Sequence, residues 1–328
     1  MIQIAQLGCG YWGPNLLRNL DANGDCNVKY VCDMNKSRRD YVATNFPGTT
    51  PVADPETVYA DPEVDAIVIA TPVAFHYEHA IRALEAGKHI LVEKPMARTA
   101  QEVEAINGLA REKGLVAMAG HTFLYNAAVL YLKELIDSGQ LGNILYISSQ
   151  RLNLGRIRQD VDAWWNLAPH DISIIQYLLD DPEPESVTRV GMDFKQPGID
   201  DVAFVSITYP GNVMANIHVS WLDPEKVRKM TVVGSRKMAV YDDMSPNKIT
   251  ILDKGIDRIE NGEMDFDDTN FFSFNHRSGD ILMPKIDFQE PLKTEIGHFL
   301  DCVAGRTACH TDGEHALRVV KILEMASE

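Results

Sequence analysis

Long apolar runs are missing from this chain. The best stretch, Ala66 to Phe75, is broken by Thr71 and Pro72 and falls short of the ~18 consecutive apolar residues that a membrane-spanning helix needs, so no membrane partner is expected. Positive charge is scarce too: 31 Lys and Arg stand against 47 Asp and Glu, a formal net charge of -16. A nucleic-acid groove needs clustered cations, so no nucleic acid is expected as main partner, while one small anionic ligand stays open. Cysteine is sparse. Cys9, Cys26, Cys32, Cys302 and Cys309 are odd in number and show no C-x-x-C spacing, which speaks against a disulfide framework or zinc site and for reduced thiols used as small packing residues. No basic leader precedes Met1-Ile2-Gln3-Ile4-Ala5, so a cytoplasmic location is expected. Internal repeats and low-complexity tracts are also lacking, which excludes a repeat array.

What remains is an ordinary globular composition, 45% hydrophobic and 24% charged over 328 residues, enough for two domains with real cores. The first 120 or so residues alternate short apolar runs with helical stretches. Ile2 to Leu7, Val28 to Cys32, Ala66 to Ala70, His89 to Val92 and Val116 to Ala119 read as buried strands. His76 to Ala86 and Ala100 to Lys113 read as helices, the second with Val103, Ile106, Leu109 and Ala110 at helical spacing and Gly114 as its stop. This α/β rhythm predicts a doubly wound parallel sheet. Beyond Asn126 a helix over Val129 to Ser138 precedes a run of strands: Ile144 to Arg151, Val202 to Tyr209, Val213 to Trp221, Lys229 to Val233 and Met238 to Tyr241. Such a succession predicts a C-terminal α/β domain with a large, mostly antiparallel open sheet. Asp253 to Asp280 reads as loops or a hairpin. One helix follows Pro291, and a last one opens at Asp312.

Gly8-Cys9-Gly10-Tyr11-Trp12-Gly13 spells G-x-G-x-x-G between the first strand and a helix over Asn15 to Leu20. Glycine lets the backbone turn tightly and approach a pyrophosphate, whose charge sits on N–H groups at the helix start. Asp33 ends the second strand, where a carboxylate can accept hydrogen bonds from both adenosine ribose hydroxyls and repel a 2'-phosphate. NAD is therefore expected over NADP, although Lys36, Arg38 and Arg39 follow closely and a guanidinium there can hold the extra phosphate. Tyr11 and Trp12 either cover the cofactor or pack against the second domain. Glu93-Lys94-Pro95 ends a strand at the carboxyl edge of the sheet, where such folds place ligands. An ammonium there can hydrogen-bond a sugar hydroxyl and stabilise negative charge on its oxygen, with Pro95, read as a candidate cis proline, setting the turn. The pair His76 and His79 has metal-ligand spacing, but no third ligand is evident.

The glycine loop, Thr71-Pro72 with His76, Glu93-Lys94-Pro95 and Gly120-His121-Thr122-Phe123 together resemble the glucose-fructose oxidoreductase / inositol dehydrogenase family, Gfo/Idh/MocA. The resemblance implies a Rossmann domain at 1–122, a substrate-binding and oligomerisation domain at 123–290 and terminal helices at 291–328 returning to the first domain. It also implies metal-independent, nicotinamide-dependent chemistry on a sugar, polyol or related carbonyl, and a homodimer or homotetramer. On this footing Gly8, Gly10, Tyr11, Trp12, Gly13, Asp33, Arg38, Thr71, Pro72, His76, Glu93 and Lys94 are expected to bind NAD. The family's D-x-x-x-H element corresponds to Asn166-Leu167-Ala168-Pro169-His170, with Asn in place of Asp. His170 and Lys94 are then the expected catalytic pair, since an imidazole can take a hydroxyl proton as hydride leaves the same carbon. Asp171 is adjacent to His170, but neighbouring helical residues point to different faces.

Trp164-Trp165-Asn166 through Ile172 is similar to a subset of the family acting on UDP-linked amino sugars at the 3-hydroxyl, which implies a UDP-sugar substrate, UDP-N-acetylglucosamine first and its uronate second. His121, Asn126, Arg151, Trp164, Trp165 and Asn166 are the expected substrate-binding residues, with Arg156, Arg158 and Tyr146 as further candidates. The arginines either grip a pyrophosphate or pair with Asp160, Asp162 and other acids. A 3-ketoreductase, a polyol or free-sugar dehydrogenase and a non-catalytic NAD sensor remain open.

Overall fold

The computed structural model describes residues 1–260 and 272–327. The chain divides into two units, Met1–Asn126 with Gln289–Glu328, and Ala127–Phe288. The first unit thus continues past residue 122 to Asn126, and the chain re-enters it at Gln289.

The first unit alternates β1 (Ile2–Leu7), α1 (Gly13–Asp21), β2 (Cys26–Cys32), α2 (Lys36–Asn45), β3 (Thr50–Val52), α3 (Glu56–Tyr59), β4 (Ala66–Ile69), α4 (His76–Glu85), β5 (His89–Glu93), α5 (Ala100–Lys113) and β6 (Ala117–Gly120). Its strands form one sheet in the order β3-β2-β1-β4-β5-β6, parallel throughout. All four residues of β4 are buried, as expected for a strand covered on both faces by helices. Thr99 caps α5 by accepting the Glu102 N–H at 3.1 Å, and Gly114 ends it in the left-handed conformation at φ 64°. α2 and β3 carry no apolar pattern strong enough to read: α2 buries only Val42, and β3 is a short edge strand around Pro51.

The second unit begins with α6 (Ala127–Asp137), β7 (Ile144–Leu154) and α7 (Ala163–Leu178), followed by β8 (Ser186–Met192), β9 (Val202–Tyr209), β10 (Val213–Ser220), β11 (Leu222–Gly234), β12 (Met238–Asp242), β13 (Ile249–Glu260) and β14 (Phe272–Leu282). They build an eight-stranded sheet in the order β14-β13-β12-β11-β7-β10-β9-β8. Among the described residues only β7 and β10 pair in parallel. β13 and β14 form a hairpin across Asp253 to Asp280, whose tip lies outside the described residues. α7 packs on β7, β9 and β10. The other face leaves Tyr146, Val190, Met192, Phe204 and Met214 exposed, with the Phe204 ring stacked on His218 at 4.0 Å between centroids.

α7 opens at Ala163, where Asp162 caps it by accepting the Trp165 N–H at 2.8 Å. Pro169 lies inside it: Trp164, Ala168, Ile172 and Ile175 recur on one fully buried face, and their burial outweighs the backbone hydrogen bond the proline lacks.

The chain re-enters the first unit with α8 (Pro291–Val303) and α9 (Gly313–Met325). Leu292, Ile296, Phe299 and Leu300 of α8 join the core of Leu16, Leu17, Leu20 and Val28, and α9 lies on α5. Cys9, Cys26, Cys32 and Cys302 are buried free thiols, and Cys309 is half-buried. No helix among the described residues is long and apolar enough to cross a membrane.

Candidate active site

The order of the first sheet reverses between β1 and β4, and the glycine loop leaves β1 at that point, where a crevice opens at the carboxyl ends of open α/β sheets. Each glycine has its own physical reason. Gly8 adopts φ +91°, and a Cβ there would meet the Ala70 carbonyl oxygen at 2.7 Å. At Gly13 a Cβ would come within 2.8 Å of the Gly8 oxygen, so this glycine lets α1 begin close against the turn. Around Gly10 nothing lies within 4 Å of a built Cβ. Beneath the loop sits fully buried Gln6, whose Nε2 donates to the Gly8 oxygen at 2.8 Å and the Gly13 oxygen at 3.1 Å. Sequence reasoning missed Gln6; a glutamine two residues before the glycine loop was the available signal.

Asp33 is tied to the same loop. Its Oδ2 accepts the Cys9 N–H at 2.7 Å and its Oδ1 the Asn35 N–H at 2.8 Å, leaving a second lone pair on each oxygen for ribose hydroxyls. Arg39 donates to the Asp33 and Met34 carbonyls, both at 2.8 Å, so its guanidinium is engaged in the turn. Arg38 is exposed. At the exit of β4 the buried Thr71 hydroxyl has no hydrogen-bond partner among the described residues, and Pro72 is exposed. The open space at Gly10, the fixed acid at Asp33 and this orphaned hydroxyl fit a dinucleotide.

His76 is placed differently from expectation. It is 2% exposed, and its ring nitrogens lie 2.9 Å from the Pro95 oxygen and 2.8 Å from the Thr71 oxygen. The ring clamps the loops after β4 and β5, and both of its nitrogens face backbone carbonyls. Burial pushes it below the usual imidazole range against the pull of the two carbonyls. His79 meets the Tyr59 hydroxyl at 2.7 Å through Nδ1, so the two histidines serve separate partners.

The Lys94–Pro95 bond is cis. Burial pushes the Glu93 carboxyl up to about 7 against the Lys94 ammonium, the Lys94 N–H and the Trp12 side chain, both of which hydrogen-bond it. Trp12 is thereby drawn toward Glu93, whereas Tyr11 remains 86% exposed. Behind them lies fully buried Glu295, held well above the carboxylate range by burial and the Glu93 charge, with its Oε2 accepting the Thr122 hydroxyl at 2.7 Å. His121 is 1% exposed and stacks edge-on with His315 at 5.3 Å; burial, His315 and Lys94 lower it, so the ring is neutral. Neither ring nitrogen has a hydrogen-bond partner among the described residues. Asn126 is buried at the end of this segment. Glu295 and His315 escaped sequence reasoning because they come from the terminal helices, remote in sequence.

In the second unit, Asn166 and His170 stand one turn apart on the same partly exposed face of α7. Two expected substrate contacts are not available here. Arg151 is buried, its Nε donating to Asp171 Oδ2 at 2.6 Å, while Ser149 donates to Asp171 Oδ1 at 2.6 Å. Trp164 is wholly buried. Both were singled out by residue type, but their side chains face the core beneath α7. Trp165 stays partly exposed and Arg156 exposed, whereas Arg158 pairs with Asp160 at 2.6 Å. Asp171 is committed to Arg151 and so does not stand in for the carboxylate missing at Asn166.

Comparison with known proteins agrees with this anatomy. Residues 2–121 match the profile described as the oxidoreductase family, NAD-binding Rossmann fold, and residues 129–240 match the GFO/IDH/MocA C-terminal domain. The chain is 28% identical over its full length to the uncharacterized oxidoreductase YdgJ of Escherichia coli, covering 96% of that protein. It is 27% identical to the scyllo-inositol 2-dehydrogenase (NAD(+)) of Bacillus subtilis, over 95% of this chain and 89% of the other. It is 29% identical to the UDP-N-acetylglucosamine 3-dehydrogenase of Acidithiobacillus ferrooxidans, over 79% and 76% of the two chains. A crystal structure of the latter superposes with a TM-score of 0.80 at 25% identity, over 99% and 96% of the two chains. With two profiles of one family matched in succession and a glycine loop shaped for NAD, this chain belongs to the Gfo/Idh/MocA family of NAD-binding oxidoreductases.

Proposed function

We propose that this protein is an NAD-dependent dehydrogenase that oxidises the 3-hydroxyl of a UDP-linked amino sugar, UDP-N-acetylglucosamine before its uronate. The observation that carries the reading is the pairing of Asn166 and His170 on one partly exposed face of α7, in a chain that also keeps Lys94 after β5. NAD, when bound, supplies the hydride acceptor. His170 takes the hydroxyl proton as the carbon becomes a carbonyl, and the Lys94 ammonium donates a hydrogen bond to the oxygen on which charge builds. Asn166 orients a hydroxyl without carrying charge. Arg156 and Trp165 serve the diphosphate and uracil in place of Arg151 and Trp164, which are buried. The likeness to the Acidithiobacillus enzyme supports the substrate class.

The test is purified protein with NAD and a panel of sugar nucleotides and free sugars, followed by reduced-nicotinamide absorbance. Turnover with UDP-N-acetylglucosamine is expected, falling about 10²- to 10⁴-fold in His170→Asn with NAD binding retained. NAD binding without turnover of any sugar would replace this reading with a sensor. The inositol dehydrogenase relative favours a second reading, a polyol dehydrogenase, which would turn over inositol and ignore competing UDP.

For assembly we propose that a second copy of this chain covers the outer face of the eight-stranded sheet, since Val190, Phe204 and Met214 form an exposed apolar surface there. Light-scattering mass should drop to the monomer in Phe204→Lys; an unchanged mass would place the interface elsewhere.

A further inference from the structure

The structure assigns a second ligand site to the first unit, away from the glycine loop: we propose that His298, Cys302 and Cys309 bind one zinc-class thiophilic divalent ion. One ligand atom of each lies within 4.8 Å of the others. The three are brought together by two independent pieces of local structure. His298 and Cys302 are four apart on α8 and so share a helix face, with Sγ of Cys302 3.4 Å from Nε2 of His298. Gly305, at φ 69°, ends that helix and turns the chain so that Cys309 comes back onto the same face.

The separation of His298 and Cys302 is that of two neighbours in a tetrahedral shell. Bonds of about 2.3 Å to sulfur and 2.0 Å to nitrogen place tetrahedral neighbours about 3.5 Å apart, against the observed 3.4 Å. The donor set of two thiols and one imidazole is soft, which selects zinc over magnesium or calcium. The histidine already presents the right tautomer: Nε2 accepts the His310 N–H at 2.9 Å, so it is the unprotonated ring nitrogen. On loading, its lone pair passes to the ion and the His310 N–H must release it. The fourth position falls to water or to the His310 ring, whose centroid is 6.3 Å from that of His298. Cys309 is half-buried, which leaves the ion a route from solvent.

The role of such an ion is to pin the connection between α8 and α9. That connection carries Thr311, whose N-terminal neighbour is His310 and whose hydroxyl donates to the Ala119 oxygen at 2.8 Å, while the Ala119 N–H donates to the Thr311 oxygen at 2.8 Å. Fastening Cys309 to α8 therefore holds the strand-like pairing with β6, next to His121.

The experiment uses the full-length chain without a polyhistidine tag, reduced with a phosphine and freed of metal by a chelator, then titrated with Co²⁺ and with Zn²⁺. Expected are one equivalent of either ion per chain by elemental analysis, a thiolate-to-cobalt charge-transfer absorption with the intense visible bands of tetrahedral cobalt, and a melting temperature that rises until one equivalent is bound. Cys309→Ser, in a half-exposed connection, should fold and lose the charge-transfer band and at least tenfold in zinc affinity; Cys302→Ser should do the same if it folds. No uptake by the reduced wild type, uptake unchanged in Cys309→Ser, or octahedral cobalt without thiolate absorption would each overturn the assignment. A Cys302–Cys309 disulfide in the isolated protein, with no uptake after reduction, would overturn it as well.

Discussion

Oδ2 of Asp33 accepts the backbone N–H of Cys9 at 2.7 Å, so the acid that ends β2 also holds the turn that leaves β1. That carboxylate shapes the glycine loop, and we propose that it also receives the adenosine ribose.

Asp33→Ser should weaken NAD by about 10- to 100-fold, the cost of losing charge-assisted hydrogen bonds, and should bring NADP closer to NAD because exposed Arg38 remains to meet a 2'-phosphate. Fluorescence titration with both dinucleotides measures this. Equal affinities already in the unmodified protein would show that Arg38 and Lys36 outweigh Asp33.

Gly10 and Gly13 should respond differently to alanine. A methyl at Gly13 runs into the Gly8 oxygen, so Gly13→Ala should lower both melting temperature and NAD affinity. Gly10 has open space around it, so Gly10→Ala should melt like the wild type yet bind NAD at least tenfold more weakly, because the methyl occupies the approach to the pyrophosphate. Normal NAD binding by Gly10→Ala would move the pyrophosphate off this loop.

The Arg151–Asp171 pair, with both side chains buried, makes a stability prediction. Asp171→Ala removes the carboxylate that pairs with a buried guanidinium and should cost about 3–5 kcal/mol. The double replacement Arg151→Met with Asp171→Leu should recover most of that loss. Chemical denaturation of both variants decides it, and a mild Asp171→Ala effect would mean that water reaches the guanidinium.

Glu93 sets a pH dependence. Its folded carboxyl titrates at about 7 against 4.5 unfolded, so between these values the folded state binds more protons. Its contribution to stability is therefore fully present below 4.5, falls as pH rises, and is gone above about 7. Glu295, shifted in the same direction, adds a decline that extends higher. Glu93→Gln should flatten the fall in melting temperature over that interval; an unaltered slope would assign it to other groups.

Local periodicity was legible wherever a segment's own neighbours decided its structure. The buried runs of β1, β4 and β5, the cap and stop of α5, and the glycine loop between strand and helix all follow from side-chain spacing and backbone sterics within a few residues. α7 was legible only in part, since Pro169 argues locally for a break and is overruled by the burial of Trp164, Ala168, Ile172 and Ile175. Residue type alone also overcalled Arg151 and His76: a guanidinium and an imidazole look like ligand groups until the partners that occupy them, Asp171 and the Thr71 and Pro95 carbonyls, are seen.

The amino-acid order by itself determined the alternation of strands and helices, the phosphate-binding turn and the acid that follows it, because each depends on contacts close along the chain. Only the tertiary structure decided that Gln6 supports that turn, that Glu295 and His315 stand behind Glu93 and His121, and that His298, Cys302 and Cys309 meet. Those groups acquire their chemistry from desolvation and from neighbours brought in by α8 and α9, and neither is encoded in the spacing of nearby residues.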